Sequence, residues 1–153
     1  MSRRFRFALD PVLEHRKRIE DQRRQELALA QLALNAATAE LLRLLEEFRK
    51  NSNILREDHK TFDVEQLRLH YAHLEFLDRA ITAQEAVVAQ RKAEHAQTRL
   101  RLLEASKEKK ALDKLKTRRQ EAHVAAEAIV DQRELDDSNA RRYSRLTAGG
   151  KIE

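Results

Sequence analysis

The stretch His59-Lys60-Thr61-Phe62-Asp63 separates two runs of regularly spaced apolar residues. Asp63 can serve as a helix N-cap, and Gln66, three residues later, completes a capping-box pattern. Phe62 and Leu67 occupy the two positions of a hydrophobic staple. The stretch therefore predicts a reversal between two long helices that fold back on each other. Without a reversal here, the chain would be one long helix that must pair with another copy.

The composition favours long helices over a compact globular domain. Of the 153 residues, 37% are charged and 5% aromatic, with two glycines and one proline. Globular domains of this length carry more aromatic and turn-forming residues, whereas Ala, Glu, Lys, Leu and Arg at helical spacing are typical of coiled coils. We expect an all-α fold, an antiparallel coiled coil of two long helices, forming one elongated domain over residues 1–153.

Apolar residues at seven-residue intervals define both helices. Asp10 followed by Pro11 marks the start of the first, as an N-cap and a residue tolerated at the first helical position. Its heptad series is Leu13, Leu27, Leu34, Leu41, Phe48 and Leu55. Glu20 interrupts that series. The second series is Leu67, Leu74, Ile81, Val88, His95 and Leu102. Such spacing predicts a left-handed coiled coil.

The two predicted helices are unequal in length. The predicted elements are a helix over about 10–58, a turn over 59–63, a helix over about 64–146 and a flexible tail over 147–153. At 1.5 Å per residue the helices span roughly 70 and roughly 120 Å, so antiparallel pairing leaves α-helix beyond about Asp113 without an intramolecular partner. Isolated helices gain little without packing. We therefore expect this overhang to bind another protein through Leu115, Ala122, Ile129 and Leu135.

The positive charge is concentrated in two segments. The chain carries 31 Lys and Arg against 26 Asp and Glu, a net charge of +5. Residues 1–24 and 107–119 hold the excess of cations, and antiparallel pairing brings these segments together. Such segments can be solvated faces, can bind nucleic acid, or can face an acidic protein partner. Because no aromatic residues are interleaved and no recognition motif is present, nucleic acid is not expected as a partner.

No motif predicts catalysis or a cofactor. Both glycines lie in the tail, so phosphate loops and dinucleotide fingerprints are missing, and carboxylates lie at helical spacing from Lys and Arg as ion pairs do. His70 and His73 share a helical face, but no third zinc ligand has a definite place near them. There is no cysteine, and the longest charge-free stretch, Leu27–Ala39, has 13 residues, shorter than a bilayer span. We expect a soluble cytoplasmic protein that is not an enzyme.

Several stretches resemble the flagellar export protein FliJ family. They are Phe5–Arg16 (FRFALDPVLEHR), Glu47–Asn51 (EFRKN), Tyr71–Leu77 (YAHLEFL), Lys109–Arg119 (KKALDKLKTRR), Glu134–Asp137 (ELDD) and Ala140–Tyr143 (ARRY). Each alone is low-complexity helical sequence. Together they cover the start, the turn-proximal segments and the C-terminal half of the chain.

The resemblance implies a central stalk in the ring of the type III export ATPase, similar to the γ subunit of rotary ATPases. It implies contact with the transmembrane export gate protein, escort of export chaperones, and a peripheral location at the cytoplasmic side of the inner membrane. The process would be flagellum biogenesis and, through it, chemotaxis. No cofactor is implied.

Carried over by position, the resemblance assigns two sets of residues. Cations facing carboxylates of the ATPase would be Lys110, Arg118, Arg119, Arg141 and Arg142. Residues at the turn end facing the gate would be Leu41, Leu44, Phe48, Tyr71, Leu74, Phe76, Leu77 and Ile81. Packing in the apolar seam between the two helices explains many residues of the second set. Tyr71 and Phe76 fit this seam least well. The alternatives are an injectisome stalk protein, a generic coiled-coil adaptor or homodimer, and a nucleic-acid-binding hairpin.

Overall fold

The computed structural model describes residues 4–150 and contains two helices within them. Helix α1 comprises Asp10–Asp58, and helix α2 comprises Val64–Gly149. No strand occurs in this described range. The all-α fold class, with two antiparallel helices and a longer second helix, is confirmed. Helix α2 ends three residues beyond the predicted boundary, at the first of the two glycines.

The reversal is stabilised by the capping box that the sequence predicted. The backbone N–H of Gln66 donates to Oδ1 of Asp63 at 2.8 Å, and the backbone N–H of Asp63 donates to Oε1 of Gln66 at 3.0 Å. At the end of α1, the backbone N–H and the hydroxyl of Thr61 both donate to the carbonyl of Asp58. No residue of the described chain has a positive φ. The turn therefore needs no glycine.

The start of α1 differs by one position from the prediction. The carbonyl of Leu9 accepts the first helical hydrogen bond, from the N–H of Leu13 at 2.9 Å. Leu9 therefore occupies the N-cap position, and Asp10 is the first helical residue. The Asp10 carboxylate instead accepts a hydrogen bond from Lys116 Nζ at 2.7 Å.

Contacts divide the chain into two units, and the first comprises Arg18–Ser106. In this unit the heptad residues of α1 and α2 form the seam. Leu44, Leu77 and Ile81 are buried in one cluster, against which Leu41 and Phe48 pack. Also in this unit, the side-chain amide of Gln84 donates to the carbonyl of Ala37 at 2.9 Å. These contacts join residues about equally far from the turn, as an antiparallel hairpin requires.

Glu20 is the buried charged residue of the same unit, with 4% of its surface exposed. It forms an ion pair with Arg24, one turn later on α1. Because Glu20 occupies a heptad position, it replaces an apolar seam residue with a carboxylate that must be compensated.

One stretch of α1 also has the length and composition of a membrane span, with a mean hydropathy of 1.2 over 18 residues. Of that stretch, 11% is buried. Length and composition alone are weak evidence for a span.

Candidate protein-binding surfaces

The second unit combines the N-terminal residues up to Lys17 with the chain from Lys107 onward. Phe7 precedes α1 and is 4% exposed, and Leu13 is 1% exposed. The Phe5 ring contacts the His123 ring edge-on, with centroids 5.5 Å apart. The guanidinium of Arg119 lies over the Phe7 ring, 5.8 Å from its centre. The segment before α1 is therefore fastened along α2, and we call residues 4–9 the N-terminal clasp.

Two ion pairs also join the start of α1 to α2. Lys116 pairs with Asp10, and Arg16 pairs with Glu108. The hydrogen bond to Asp10 raises the pKa of Lys116 above its ordinary value. Intramolecular pairing was expected to end at about Asp113, and the contact of Asp10 with Lys116 lies three residues farther along α2. Side chains tilt toward the N-terminus of their own helix, so Lys116 extends back toward Asp10 and meets it from farther along α2.

Because of the clasp, the overhang starts farther along α2 than predicted. We expected α2 to lack intramolecular contacts beyond Asp113, but contacts continue to His123. Extended residues advance about 3.3 Å each and helical ones about 1.5 Å, so a few residues before α1 reach far along α2. Leu115, expected in the overhang, is partly buried, whereas Ala122 and Ile129 are exposed.

The terminal segment of α2, residues 128–149, is exposed at every position. Its large apolar side chains and their exposed fractions are Ile129 53%, Val130 51%, Leu135 64%, Tyr143 71% and Leu146 76%. Monomeric proteins rarely expose so many large apolar side chains in one segment without an interaction partner. This terminal segment is the largest candidate binding surface of the second unit.

The five cations assigned to ATPase binding fall into two groups. Lys110, Arg118, Arg141 and Arg142 are exposed, and none forms an ion pair within residues 4–150. Arg119 is exposed too, but its guanidinium is engaged by Phe7. The structure brings Arg141 and Arg142 together on the terminal segment and leaves Lys110 and Arg118 beside the clasp.

The eight residues assigned to the gate divide by burial. Leu44, Leu77 and Ile81 are buried in the seam, and Leu41, Phe48 and Leu74 are partly buried. Tyr71 and Phe76 are 59% and 60% exposed. Burial leaves the three seam residues little surface for a partner, and Tyr71 and Phe76 are the most exposed of the eight.

Two further exposed apolar residues near the turn were missed by sequence reasoning. Val64 and Leu69 are 72% and 69% exposed. They were overlooked because neither falls on the heptad series. The available signal was that both are large apolar residues outside the heptad series. Together with Tyr71 and Phe76, they form what we call the turn-end patch.

The histidines near the turn contact aromatic rings. His70 stacks on Phe62 with ring centroids 4.7 Å apart, and His73 lies 6.5 Å from the Phe76 ring and 3.5 Å from Oε1 of Glu47. Within residues 4–150, no three His, Cys, Asp or Glu side chains are grouped to hold a metal ion. The observed contacts give these histidines a packing role at the turn.

The family model for the flagellar FliJ protein matches residues 5–147. Among solved structures, that of a putative YscO homolog from Chlamydia trachomatis is similar, with a TM-score of 0.51 and 17% identity. The match covers 97% of this chain and 100% of that one, and at this identity it supports the fold alone. No curated protein sequence matches significantly.

Proposed function

The chain belongs to the flagellar FliJ family, and from that premise we propose that it is the central stalk of a type III export ATPase ring. Family membership makes it a protein related to type III export. The stalk role, the coupling to the export gate, the escort of export chaperones and the peripheral location at the inner membrane are our proposal. The protein acts without catalysing a reaction itself.

The observation that carries the stalk role is the terminal segment of α2. From residue 128 to residue 149 this helix is exposed on all sides and keeps five large apolar side chains in water. A helix gains little stability from exposed apolar residues, so their place here is accounted for by a partner that buries them. The central channel of a ring is a partner that encloses a single helix.

The turn-end patch supports the second half of the proposal, contact with the gate. Tyr71 and Phe76 present aromatic side chains, which supply much of the binding energy at protein interfaces. The patch lies in the first unit, Arg18–Ser106, which we call the hairpin unit, and the terminal segment lies in the second unit. A protein that couples the ATPase to the gate needs two binding surfaces, and a substitution in one of these surfaces need not alter the other.

The test is co-purification of the chain with the export ATPase of its own cell, together with ATP hydrolysis. A variant that ends at Glu127 should lose capture and stimulation while its hairpin melts at an unchanged temperature. A Tyr71→Ala/Phe76→Ala variant is the matched control, which should keep ATPase capture and lose binding to the gate protein. Normal stimulation by the shortened variant would contradict the stalk role.

An injectisome stalk is the second candidate, because the fold that the chain shares with a putative YscO homolog suits a stalk of either system. The same co-purification with the ATPases of both systems distinguishes the two. Capture by neither ATPase would leave a generic coiled-coil adaptor as the better account. Saturable binding of RNA or DNA at physiological salt would instead favour the nucleic-acid alternative.

A further inference from the structure

The charges of the terminal segment are sorted along its axis. Residues 131–137 carry four carboxylates and one cation, and residues 141–145 carry three cations and no carboxylate. We call these the acidic belt (Asp131, Glu134, Asp136 and Asp137) and the basic belt (Arg141, Arg142 and Arg145). At 1.5 Å per residue, their centres lie about 13 Å apart along the helix.

The members of the two belts also form no ion pairs, unlike many Arg and Glu residues of α1. On α1, Arg and Glu at spacings of three and four form ion pairs, as Arg43 does with both Glu40 and Glu47. Asp137 and Arg141 have the same favourable spacing, with the acid first. Neither they nor any other member of the two belts forms an ion pair within the described part of the chain. These charges are available to a partner.

The apolar residues indicate a partner that surrounds the helix. At about 100° per residue, Leu135 and Leu146 share one face, whereas Val130 lies about 140° away from Leu135. A single helix packing alongside covers a stripe of about 100°. Burying both faces therefore requires contact from at least two sides, as in a channel.

We propose that the partner of the terminal segment is a protein channel whose lining is banded with opposite charge. Basic residues of the lining would face the acidic belt, and acidic residues, about 13 Å farther along the axis, would face the basic belt. This inference rests on the proposed stalk function, whose ATPase ring supplies the channel. It adds a contact made by the acidic belt, which the assignment of five cations to ATPase binding does not include.

The banding fixes the direction in which the helix enters. A channel of uniform charge would attract one belt and repel the other, so it would gain little from a segment with both. A banded channel attracts both belts in one orientation only, because inverting the helix places like charges together. The belts thereby select the orientation and the depth of insertion.

The decisive variant exchanges the belts without changing net charge. Glu134, Asp136 and Asp137 become Arg, and Arg141, Arg142 and Arg145 become Glu. A channel of uniform charge, or one that attracts the helix non-specifically, would bind the exchanged protein with the same affinity as the natural one. The banded channel predicts that affinity for the purified ATPase falls on the order of tenfold or more at low salt. The loss should shrink as salt screens the charges.

Single-belt reversals separate the two contacts. The acidic-belt variant Glu134→Lys/Asp136→Lys/Asp137→Lys and the basic-belt variant Arg141→Glu/Arg142→Glu/Arg145→Glu should each weaken binding. The matched control, Glu75→Lys/Asp78→Lys/Glu85→Lys, reverses three exposed carboxylates of α2 in the hairpin unit and should bind normally. Circular dichroism checks that all variants stay helical.

Each outcome bears on a different claim. If the natural protein is not captured by the ATPase, the stalk function fails and this inference with it. If capture is normal but the exchanged variant binds within about twofold, the banded channel is rejected and the stalk stands. Tighter binding of the acidic-belt variant would indicate a uniformly acidic lining. A salt-sensitive dimer of the natural protein, lost in the exchanged variant, would show that a second copy covers the belts. Either of these last two results would overturn the proposal.

Discussion

The guanidinium of Arg119 lies over the ring of Phe7, at 5.8 Å from the ring centre, and joins the N-terminal clasp to α2. The family resemblance assigned Arg118 and Arg119 the same role, as cations facing carboxylates of the ATPase. In the structure Arg119 has an intramolecular role, and Arg118 is exposed without an ion pair among the described residues. The two neighbours should therefore respond differently to the same substitution.

We expect Arg119→Ala to lower the free energy of unfolding by about 0.5–1 kcal/mol, the range for an exposed cation–π contact. Arg118→Ala should change it by less than about 0.5 kcal/mol, as surface substitutions usually do. Urea denaturation of both variants measures the difference. In a Phe7→Ala background, Arg119→Ala should have no further effect on stability, because the ring that the guanidinium contacts is gone. Equal stability losses in the two single variants would contradict the contact.

The buried carboxylate of Glu20 gives a prediction of opposite sign. Its side chain is 5% exposed, whereas that of its partner Arg24 is 59% exposed. Replacing a buried ionic residue by an apolar one of similar size is often stabilising by about 1–4 kcal/mol, and Arg24 would remain solvated. Glu20→Leu should therefore raise the melting temperature. Glu20→Ala is the control, since it removes the charge without filling the seam. A lower melting temperature for Glu20→Leu would mean that the carboxylate is better compensated than its replacement.

The parts of the fold that follow local rules could be predicted from sequence. The capping box of Asp63 and Gln66 and the seam of Leu44, Leu77 and Ile81 depend on residues three, four and seven apart, and the structure contains them. Phe7 could not be predicted as a buried residue. It lies before α1, where no periodic pattern specifies which part of α2 it meets. The error in the overhang boundary has the same origin.

The candidate surfaces were less predictable than the seam. The heptad series identifies which residues face the partner helix, but says nothing about which of the remaining residues face a partner protein. Tyr71 and Phe76 were identified because they did not fit the seam, whereas Val64 and Leu69 were missed. The belts of the terminal segment are visible in the sequence, but their lack of ion pairs is evident only from the structure.

Acidification should weaken α1 through its exposed ion pairs. The hydrogen bond from Arg43 lowers the pKa of Glu40, and the hydrogen bond from Arg49 lowers the pKa of Glu46, both below the ordinary value of 4.5. Because these carboxylates have lower pKa values in the folded chain, their contribution is present above the unfolded value and is lost as pH falls through the folded one. The melting temperature should therefore fall between about pH 5 and pH 3.

The variant Glu40→Gln/Glu46→Gln should melt lower at pH 7 and lose part of this pH dependence. Glu85→Gln, at an exposed position of α2, is the control and should follow the natural protein. Differential scanning calorimetry at a series of pH values measures both. An identical pH dependence in the double variant and the natural protein would rule out these two ion pairs as the cause.

Amide hydrogen exchange should reveal the different packing along α2. Residues 74–88 contribute Leu77, Ile81 and Val88 to the buried seam, so their amides should exchange slowly. The terminal segment has no buried side chain and should exchange much faster, because fraying there costs no packing. Residues 107–123 contact the clasp and the start of α1, and should be intermediate. Deleting residues 1–9 should speed exchange at residues 107–123 and leave residues 74–88 unchanged. Slow exchange of the terminal segment in a dilute sample of the isolated protein would mean that something already covers it.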